Sequence, residues 1–233
     1  PGQTKGFHIY NSAAPINSSH HFADPMINIG NFNNSGIDGV AIADLNSLNS
    51  PLSSTVYVIF GSHSFNSGTN FDVQSLNGTN GFKLISSQPS SYVTSMAYLG
   101  DVNGDGISDF GFIDKNAYNG LGAAYIIFGS ETGFAATIDY THLTANEGFV
   151  IRFSSTYSAQ NIGGGGDLNG DGLGDIVLND PTRNIGPPPA YGVSGVSYVV
   201  FGDNFSNAIT QRGQAGVNVI QGTGANDVIF AGP

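Results

Sequence analysis

A nine-residue acidic loop occurs twice in this chain and sets the strongest constraint on its fold. The copies are DVNGDGISD, from Asp101 to Asp109, and DLNGDGLGD, from Asp167 to Asp175. Side-chain oxygen donors stand at positions 1, 3, 5 and 9, and glycine stands at position 6. This spacing is typical of a short backbone that curls around one hard cation, with a carbonyl oxygen added at position 7. The sequence therefore predicts two calcium-binding turns in a repeat protein.

The predicted ligands are all oxygen atoms, as a hard divalent cation requires. In the first loop they are the side chains of Asp101, Asn103, Asp105 and Asp109 with the carbonyl of Ile107, and in the second the side chains of Asp167, Asn169, Asp171 and Asp175 with the carbonyl of Leu173. Three carboxylates within nine residues repel one another unless a cation lies among them. The alternative is a hairpin rich in Asp, Asn and Gly that holds no metal.

EF-hand loops begin in a similar way and are another calcium motif to consider. They place a bidentate Glu at position 12 and continue into a helix. Position 12 is Phe112 in the first loop and Leu178 in the second, and both lie inside apolar runs. The pattern therefore excludes an EF-hand.

A third, degenerate copy of the loop, NFNNSGIDG, runs from Asn31 to Gly39. Asn31, Asn33 and Ser35 replace the acidic residues, and Gly39 stands where the ninth-position Asp is expected. Asp38 is the one carboxylate, and it is out of register. Because one anionic ligand binds a hard dication poorly, this copy predicts a turn of the same shape without metal.

Three apolar elements accompany the loop in fixed order, which marks a structural repeat. A Gly-Phe strand begins at Gly6, Gly81 and Gly148 and, in weaker form, at Gly216. The loop runs into a strand that ends on Asp44, Asp114 or Asp180, and a Tyr-x-x-Phe-Gly strand follows at Tyr57, Tyr125 and Tyr198. Val, Ile, Tyr and Phe dominate these runs, with Gly, Asn, Ser and Pro between them. A period of about 70 residues with several strands in each unit predicts propeller blades or solenoid coils.

The loop, the strand after it and the Tyr-x-x-Phe-Gly ending stand in register three times. In this the chain resembles the FG-GAP repeats of integrin α-subunit β-propellers, especially their bacterial versions in large secreted proteins. The resemblance covers roughly residues 6–221. It implies an all-β propeller with blades of about four antiparallel strands, in which Ca²⁺ lies in the loop between the first two strands of a blade.

Blades are expected at about residues 6–80, 81–147 and 148–221, within a repeat domain at residues 1–221. Propellers of that family commonly have about seven blades. Three units therefore predict a partial propeller, or one that other copies complete. Because an incomplete ring leaves open strand edges, we also expect self-association.

Composition narrows the class of partner. Lys and Arg total 6 against 17 acidic residues, and the formal net charge of −11 argues against binding to nucleic acid or anionic lipid. The chain has no Cys, and no apolar stretch approaches about 18 residues, so we expect no membrane insertion. These features favour an extracellular bacterial protein, secreted or at the cell surface, that gains rigidity from metal rather than from disulfides.

Residues 222–233 are expected to be a linker or the start of another repeat. The segment GTGANDVIFAG, from Gly222 to Gly232, resembles the opening of the calcium-binding nonapeptide repeat of bacterial toxins. In that repeat the ligands come from successive turns, so a single turn makes no site. Asp227 is therefore not expected to bind calcium here.

The sequence contains no motif that indicates catalysis, and we expect no enzymatic activity. Gly192–Gly195 misses the Gly-x-Ser-x-Gly pattern, and the glycine run Gly163–Gly166 is followed by Asp167 instead of a helix that could hold phosphate. The five His have no partner at metal-ligand spacing and are expected in surface loops. The repeated tyrosines are expected to pack between blades rather than to stack on sugars.

The function expected from these features is that of a calcium-stabilised propeller module serving adhesion or structural assembly. One alternative is a propeller with a specific pocket for a glycan or protein ligand at the cell surface or in the matrix. The other is an accessory domain of an enzyme whose catalytic part lies outside this sequence. The lack of Trp weighs against sugar binding.

Overall fold

The computed structural model describes residues 6–14, 20–46, 53–65, 68, 70–153, 160–184, 194–205, 219–221 and 228–230. Short strands dominate this part of the chain, as the runs of Val, Ile and Phe predict. In chain order the strands are β1 His8–Tyr10, β2 His20–Gly30, β3 Gly39–Asn46, β4 Ser53–Ile59, β5 Asn70–Asp72, β6 Gly81–Ile85, β7 Val93–Gly100, β8 Asp109–Asp114, β9 Ala123–Ile127, β10 Thr137–Asp139, β11 Gly148–Arg152, β12 Asn161–Gly166, β13 Asp175–Asn184, β14 Ser194–Phe201, β15 Val219–Gln221 and β16 Val228–Phe230. The helical elements of the described residues are one turn, α1 Ala117–Gly120, and the 3₁₀ turns Val73–Ser75 and Tyr140–His142.

The first sheet is an antiparallel meander with one added strand. β2, β3, β4 and β6 pair antiparallel in that order, with Val40 opposite Ile59 and Val58 opposite Phe82. β10, which comes from the next unit of the sequence, pairs parallel with the outer edge of β6. Each sheet can therefore include a strand that its neighbour supplies.

The second sheet repeats this pattern, and the third repeats part of it. β7, β8, β9 and β11 form the second meander, and β16 pairs parallel with β11. β12, β13 and β14 are the antiparallel strands of the third sheet. β15 takes the fourth position but pairs parallel with β14, in contrast to the antiparallel β6 and β11. The weak Gly-Phe-like segment that begins at Gly216 thus contributes an edge strand, and its first residues lie outside the described part.

The Gly-Phe strands β6 and β11 are the last strands of their antiparallel meanders, although each stands first in its sequence unit. β6 begins at Gly81 and β11 at Gly148, and each pairs with the Tyr-x-x-Phe strand before it. The sheets are therefore offset by one strand from the units at 6–80, 81–147 and 148–221. The first Gly-Phe strand, β1, pairs with β5 in a separate two-stranded parallel ribbon.

The three sheets lie one against the next, and their interfaces make up the core. Between the first and second sheets the buried cluster includes Val58, Phe82, Phe112 and Tyr125. Between the second and third it includes Ile126, Phe149, Leu178 and Tyr198. A smaller cluster on the far side of the first sheet joins Ile42 and Tyr57 to Ile9 and Phe71 of the β1–β5 ribbon. The first sheet is covered by the ribbon and the second sheet, and the second sheet by the first and the third. This agrees with strands that are apolar on both faces.

The edge strands β2, β7 and β12 pack side by side, and glycines allow β12 to approach β7 closely. A Cβ at Gly164 would overlap the Leu99 side chain and lie 3.0 Å from the carbonyl oxygen of Asp175. A Cβ at Gly165 would lie 3.2 Å from the Tyr98 ring. The run Gly163–Gly166 is therefore strand, and two of its glycines, Gly164 and Gly165, allow the close approach.

Candidate metal centres

Both acidic loops join the first two strands of a sheet. Residues 101–108 connect β7 to β8, and residues 167–174 connect β12 to β13. Because β7 and β12 pack side by side, the two loops are neighbours. The N–H of Gly174 in the later loop donates to the carbonyl oxygen of Asp101 in the earlier one at 2.7 Å.

Asp101 shapes its loop through hydrogen bonds to the backbone ahead of it. Its Oδ1 accepts from the N–H of Gly104 at 2.7 Å and of Asp105 at 3.2 Å, and its Oδ2 accepts from the N–H of Gly106 at 2.8 Å. Asn103 Oδ1 then accepts from Asp105 N–H at 3.0 Å. The turn needs left-handed backbone at Gly104 (φ +79°) and Gly106 (φ +83°), which glycine adopts without strain. The two glycines are therefore required by the backbone shape.

The loop between β12 and β13 repeats these bonds. Asp167 Oδ1 accepts from Gly170 N–H at 2.6 Å and from Asp171 N–H at 3.2 Å, and its Oδ2 accepts from Gly172 N–H at 2.9 Å. The bond from Gly172, with those from Gly170 and Asp171, holds the pKa of Asp167 below its ordinary value. Two sequences that share only the ligand positions and the glycines thus form one loop geometry.

The ninth-position acids, Asp109 and Asp175, have a different role in the loops. Both are buried, with 0% and 1% exposure. Asp109 accepts from the N–H of Val102 and of Gly129, each at 2.8 Å, and Asp175 accepts from the N–H groups at the equivalent positions 168 and 202, at 2.5 and 3.0 Å. Burial raises the pKa of Asp109 well above its ordinary value. Each carboxylate therefore accepts one hydrogen bond from its own loop and one from the end of the Tyr-x-x-Phe-Gly strand. We call this pair of bonds the ninth-position staple.

The degenerate loop has the predicted shape. Asn31 Oδ1 accepts from Gly36 N–H at 2.9 Å, and positive φ values recur at Asn34 (+55°) and Gly36 (+80°), the positions of Gly104 and Gly106. The ninth-position carboxylate is missing here because residue 39 is glycine, and a Cβ at this position would lie 2.7 Å from the carbonyl oxygen of residue 59. The backbone turn thus forms without the acids.

The oxygen donors of the two acidic loops suit a hard cation, although several of these side-chain oxygens already accept hydrogen bonds from the loop backbone. Within the described residues, no three His, Cys, Asp or Glu side chains form a group that could hold a metal ion. A carboxylate oxygen that accepts one N–H keeps further acceptor capacity. Asp105 and Asp171 are exposed, so their side chains can turn toward a cation without leaving a packed position in the core. By donor chemistry and turn shape, the residues present fit Ca²⁺.

The reason for the Phe-Gly pair that ends each third strand is not evident from the sequence alone. A Cβ at Gly129 would overlap the Ser108 carbonyl oxygen and lie 2.8 Å from the Phe32 carbonyl oxygen of the preceding unit. At Gly202 it would lie 2.8 Å from the carbonyl oxygen of Gly174. Glycine is therefore needed where one strand end passes beneath two loops.

A further repeated motif, Phe/Ile-Asp-x-x-x-Leu, was not found by sequence reasoning. Asp72 Oδ1 accepts from Gln74 N–H and Asp139 Oδ1 from Thr141 N–H, each at 3.0 Å, so both cap a 3₁₀ turn. Both lie nine residues before the Gly of the next Gly-Phe strand, and this fixed distance is the signal that could have revealed them. Their role is to anchor β5 and β10.

The structure locates the remaining candidates. Tyr57, Tyr125 and Tyr198 are 5%, 0% and 2% exposed, which confirms packing between sheets. The expectation that all His lie in surface loops is wrong, because the exposed His8 and His21 lie on strands. Both histidines lie on edge strands, β1 and β2, whose side chains can reach solvent.

The end of the chain and the Gly192–Gly195 segment are described only in part. Val228–Phe230 forms the edge strand β16, and Asp227 lies outside the described residues. Of Gly192–Gly195, the structure includes the last two residues, at the start of β14.

No helix within the described ranges is long and apolar enough to cross a membrane. No protein-family model and no curated protein matches this chain.

Proposed function

We propose that this chain is a calcium-stabilised β-propeller module of an extracellular bacterial protein, secreted or at the cell surface, that serves adhesion or structural assembly. The proposal rests on the two acidic loops, which make the same hydrogen bonds to their backbone and lie beside each other on adjacent sheets. The stack of antiparallel sheets with β2, β7 and β12 side by side supports the propeller.

Two sites are proposed, one in each loop, with the ligands expected from the sequence: Asp101, Asn103, Asp105, Ile107 and Asp109, and Asp167, Asn169, Asp171, Leu173 and Asp175. When bound, Ca²⁺ supplies positive charge among each set of carboxylates. Asp109 and Asp175 join the loop to the end of the third strand of the sheet. A cation bound by these acids would therefore stabilise the same connection as their hydrogen bonds do. The effect of the cation is therefore on stability.

The module is proposed to be non-enzymatic. Among the residues that the structure describes, the arrangement most similar to a catalytic group is an exposed contact in which His142 Nδ1 lies 2.9 Å from Asp139 Oδ2 and 3.4 Å from the Ser87 hydroxyl. A nucleophile relay needs the acid and the hydroxyl on opposite ring nitrogens. Here one nitrogen faces both, so the contact serves the capped turn.

The proposed partners are proteins or glycans of the cell surface or matrix, together with other copies of this chain. With a formal charge of −11, the chain repels nucleic acid and anionic lipid. Two bound Ca²⁺ would bring this charge from −11 to about −7, which leaves the sign unchanged.

A cleft between the second and third units favours a ligand-binding propeller as the second candidate. It has a volume of about 400 Å³, and its lining includes Asn103, Asp105, Ser130, Asn146 and Asn204. Amide and hydroxyl groups beside an acidic loop suit a small polar ligand such as a sugar. A glycan array at saturating calcium tests this candidate, and an array without any bound glycan would remove it.

Thermal unfolding in millimolar calcium and in excess chelator tests the main proposal. A ligand that binds only the folded state at about a hundred times its Kd adds about 2.7 kcal/mol per site, and about 1 kcal/mol at the weak end of extracellular calcium affinities. We expect chelation to lower the melting temperature and to expose Gly104 and Gly170 to proteolysis. An unchanged melting curve would refute the calcium sites.

Single-loop variants assign the effect. Asp105→Ala and Asp171→Ala should each remove most of the calcium response of their own loop, because each removes a charged ligand. Ser35→Ala, in the degenerate loop, is the matched control and should leave the response unchanged. A calcium response that persists in Asp105→Ala/Asp171→Ala but is lost in Ser35→Ala would contradict the assignment.

A further inference from the structure

In the first two sheets one face packs on the sheet that follows, whereas the corresponding face of the third sheet is only partly covered. Its four positions are Phe32, Ala41, Val58 and Phe60 in the first sheet, Val102, Gly111, Ile126 and Phe128 in the second, and Leu168, Val177, Val199 and Phe201 in the third. All are buried in the first two sheets, whereas the three strand positions of the third are half-buried. At the loop position, Phe32 and Val102 are 1% and 0% exposed, but Leu168 is 62% exposed. The third sheet therefore lacks a neighbour on this face among the described residues.

Backbone hydrogen bonds between units show the same gap at both ends of the stack. Ser130 N–H donates to the Phe32 carbonyl oxygen, and Asp203 N–H to the Val102 carbonyl oxygen, each at 3.0 Å. The next acceptor in this series, the carbonyl oxygen of residue 168, has no such donor among the described residues. The first donor in the series, the N–H of Ser62, has no such acceptor there either. The unused acceptor and the unused donor are the two halves of one repeated bond.

The strand edges are complementary in the same way. The ribbon of β1 and β5 corresponds to the outer pairs β6–β10 and β11–β16, because all three pair parallel and in the same register after the Gly-Phe start. β12, β13 and β14 correspond to the three inner strands of a sheet. The ribbon therefore lacks three inner strands, and the third sheet lacks an antiparallel fourth.

Aromatic stacking marks each inter-unit contact and includes the ribbon. The Phe of each Gly-Phe strand stacks on a Phe that follows the next Phe-Gly pair, with ring centroids 4.5 to 4.6 Å apart: Phe7 on Phe65, Phe82 on Phe134, and Phe149 on Phe205. Phe7 and Phe65 thus form the same contact as the two later pairs, although the ribbon beside Phe7 has no inner strands among the described residues.

We infer that a second copy of this chain docks on the third sheet and adds its β1 antiparallel to β14, head to tail. By analogy with β4–β6, Val199 then lies opposite Phe7 of the second copy, and Ser197 opposite its Ile9. β15, which pairs parallel with β14 at this edge, is displaced by the β1 strand of the second copy. The inference extends the proposed propeller architecture and is independent of the calcium sites.

Cysteine cross-linking tests the register. The chain contains no Cys, so one variant with Ser197→Cys and another with Ile9→Cys carry one thiol each. Residues directly opposite in antiparallel strands have Cα atoms about 4.5 to 5.5 Å apart, within disulfide range. We expect covalent dimers when the two variants are mixed and oxidised, and none from either variant alone. Dimers of like variants only, or no cross-link in the mixture, would overturn the inference.

A surface substitution tests the docking face without disturbing the folded core. Leu168→Ser removes an exposed apolar side chain, and Met26→Ser, at a residue 56% exposed, is the matched control. Sedimentation should show association of the native chain, weakened about tenfold or more by Leu168→Ser and unaffected by Met26→Ser. A native chain that stays monomeric at every concentration would overturn the inference. The calcium-dependent melting shift would be unaffected by that result, so failure of the two proposals can be distinguished.

Discussion

The Asp109 carboxylate accepts a hydrogen bond from the backbone N–H of Gly129 at 2.8 Å, and this bond ties the acidic loop to a strand end twenty residues later. Its second oxygen accepts from Val102 N–H, inside the loop. Asp175 makes the same two bonds in the third sheet. The ninth position therefore has a structural role of its own, in addition to any role as a ligand.

The substitution Asp109→Asn should destabilise the chain in calcium and in chelator alike. The amide offers one acceptor oxygen in place of two, so one buried N–H loses its partner at a cost of about 1–3 kcal/mol. Asp105→Asn, at an exposed position, should instead reduce only the difference between the two conditions. Urea unfolding measures both effects. If the loss in Asp109→Asn vanishes in chelator, the staple has no independent role.

The substitution Gly129→Ala should destabilise the chain by about 1–3 kcal/mol, because the new Cβ overlaps the Ser108 carbonyl oxygen beneath two loops. Gly163→Ala is the matched control, since no atom lies within 4 Å of a Cβ there and its φ is not positive. Thermal melts of the two variants give the comparison. Equal effects would show that the Phe-Gly glycine is not needed for close packing.

Two buried tyrosines should respond in opposite ways to loss of the hydroxyl. The Tyr125 hydroxyl has no hydrogen-bond partner within the described residues, so Tyr125→Phe should be neutral or stabilising. The Tyr140 hydroxyl donates to Asp114 Oδ2 at 3.0 Å, so Tyr140→Phe should cost about 1–3 kcal/mol. Denaturant midpoints at one pH measure the pair. A larger loss in Tyr125→Phe than in Tyr140→Phe would contradict this account.

The buried Asp114 should make stability depend on pH. Burial raises its pKa, so the folded state keeps this proton to a higher pH than the unfolded state does. Its contribution is complete below the ordinary value of 3.8 and is lost as the pH rises through the folded value. In Asp114→Asn, Oδ1 still accepts from Tyr92 and Asn116, and the amide can donate to the Tyr140 oxygen.

Unfolding free energies of the native chain and Asp114→Asn, measured in chelator between about pH 4 and about pH 7, check this prediction. The variant should gain stability relative to the native chain as the pH rises. Parallel curves would show that Asp114 does not titrate in this range.

The strands and the loop shape could be predicted because their signals are local. Alternating glycines and Asx residues determine the turns at Asp101 and Asp167, and apolar runs determine the strands that follow. The pairing was harder to predict, because β10 lies on β6 across more than fifty residues and short strands carry little register information. The buried staple at Asp109 also could not be separated from a ligand, since both roles need a carboxylate at position 9.

The parallel pairing of β10 with β6 also bears on how the chain folds during synthesis. Lys83 of the first sheet pairs with Thr137, so this edge stays open until much of the second unit has left the ribosome. The second sheet waits in the same way for Val228, opposite Val150. Completion of these two sheets is thus delayed by roughly one repeat, and nascent chains that stall between repeats would expose an unprotected strand to aggregation.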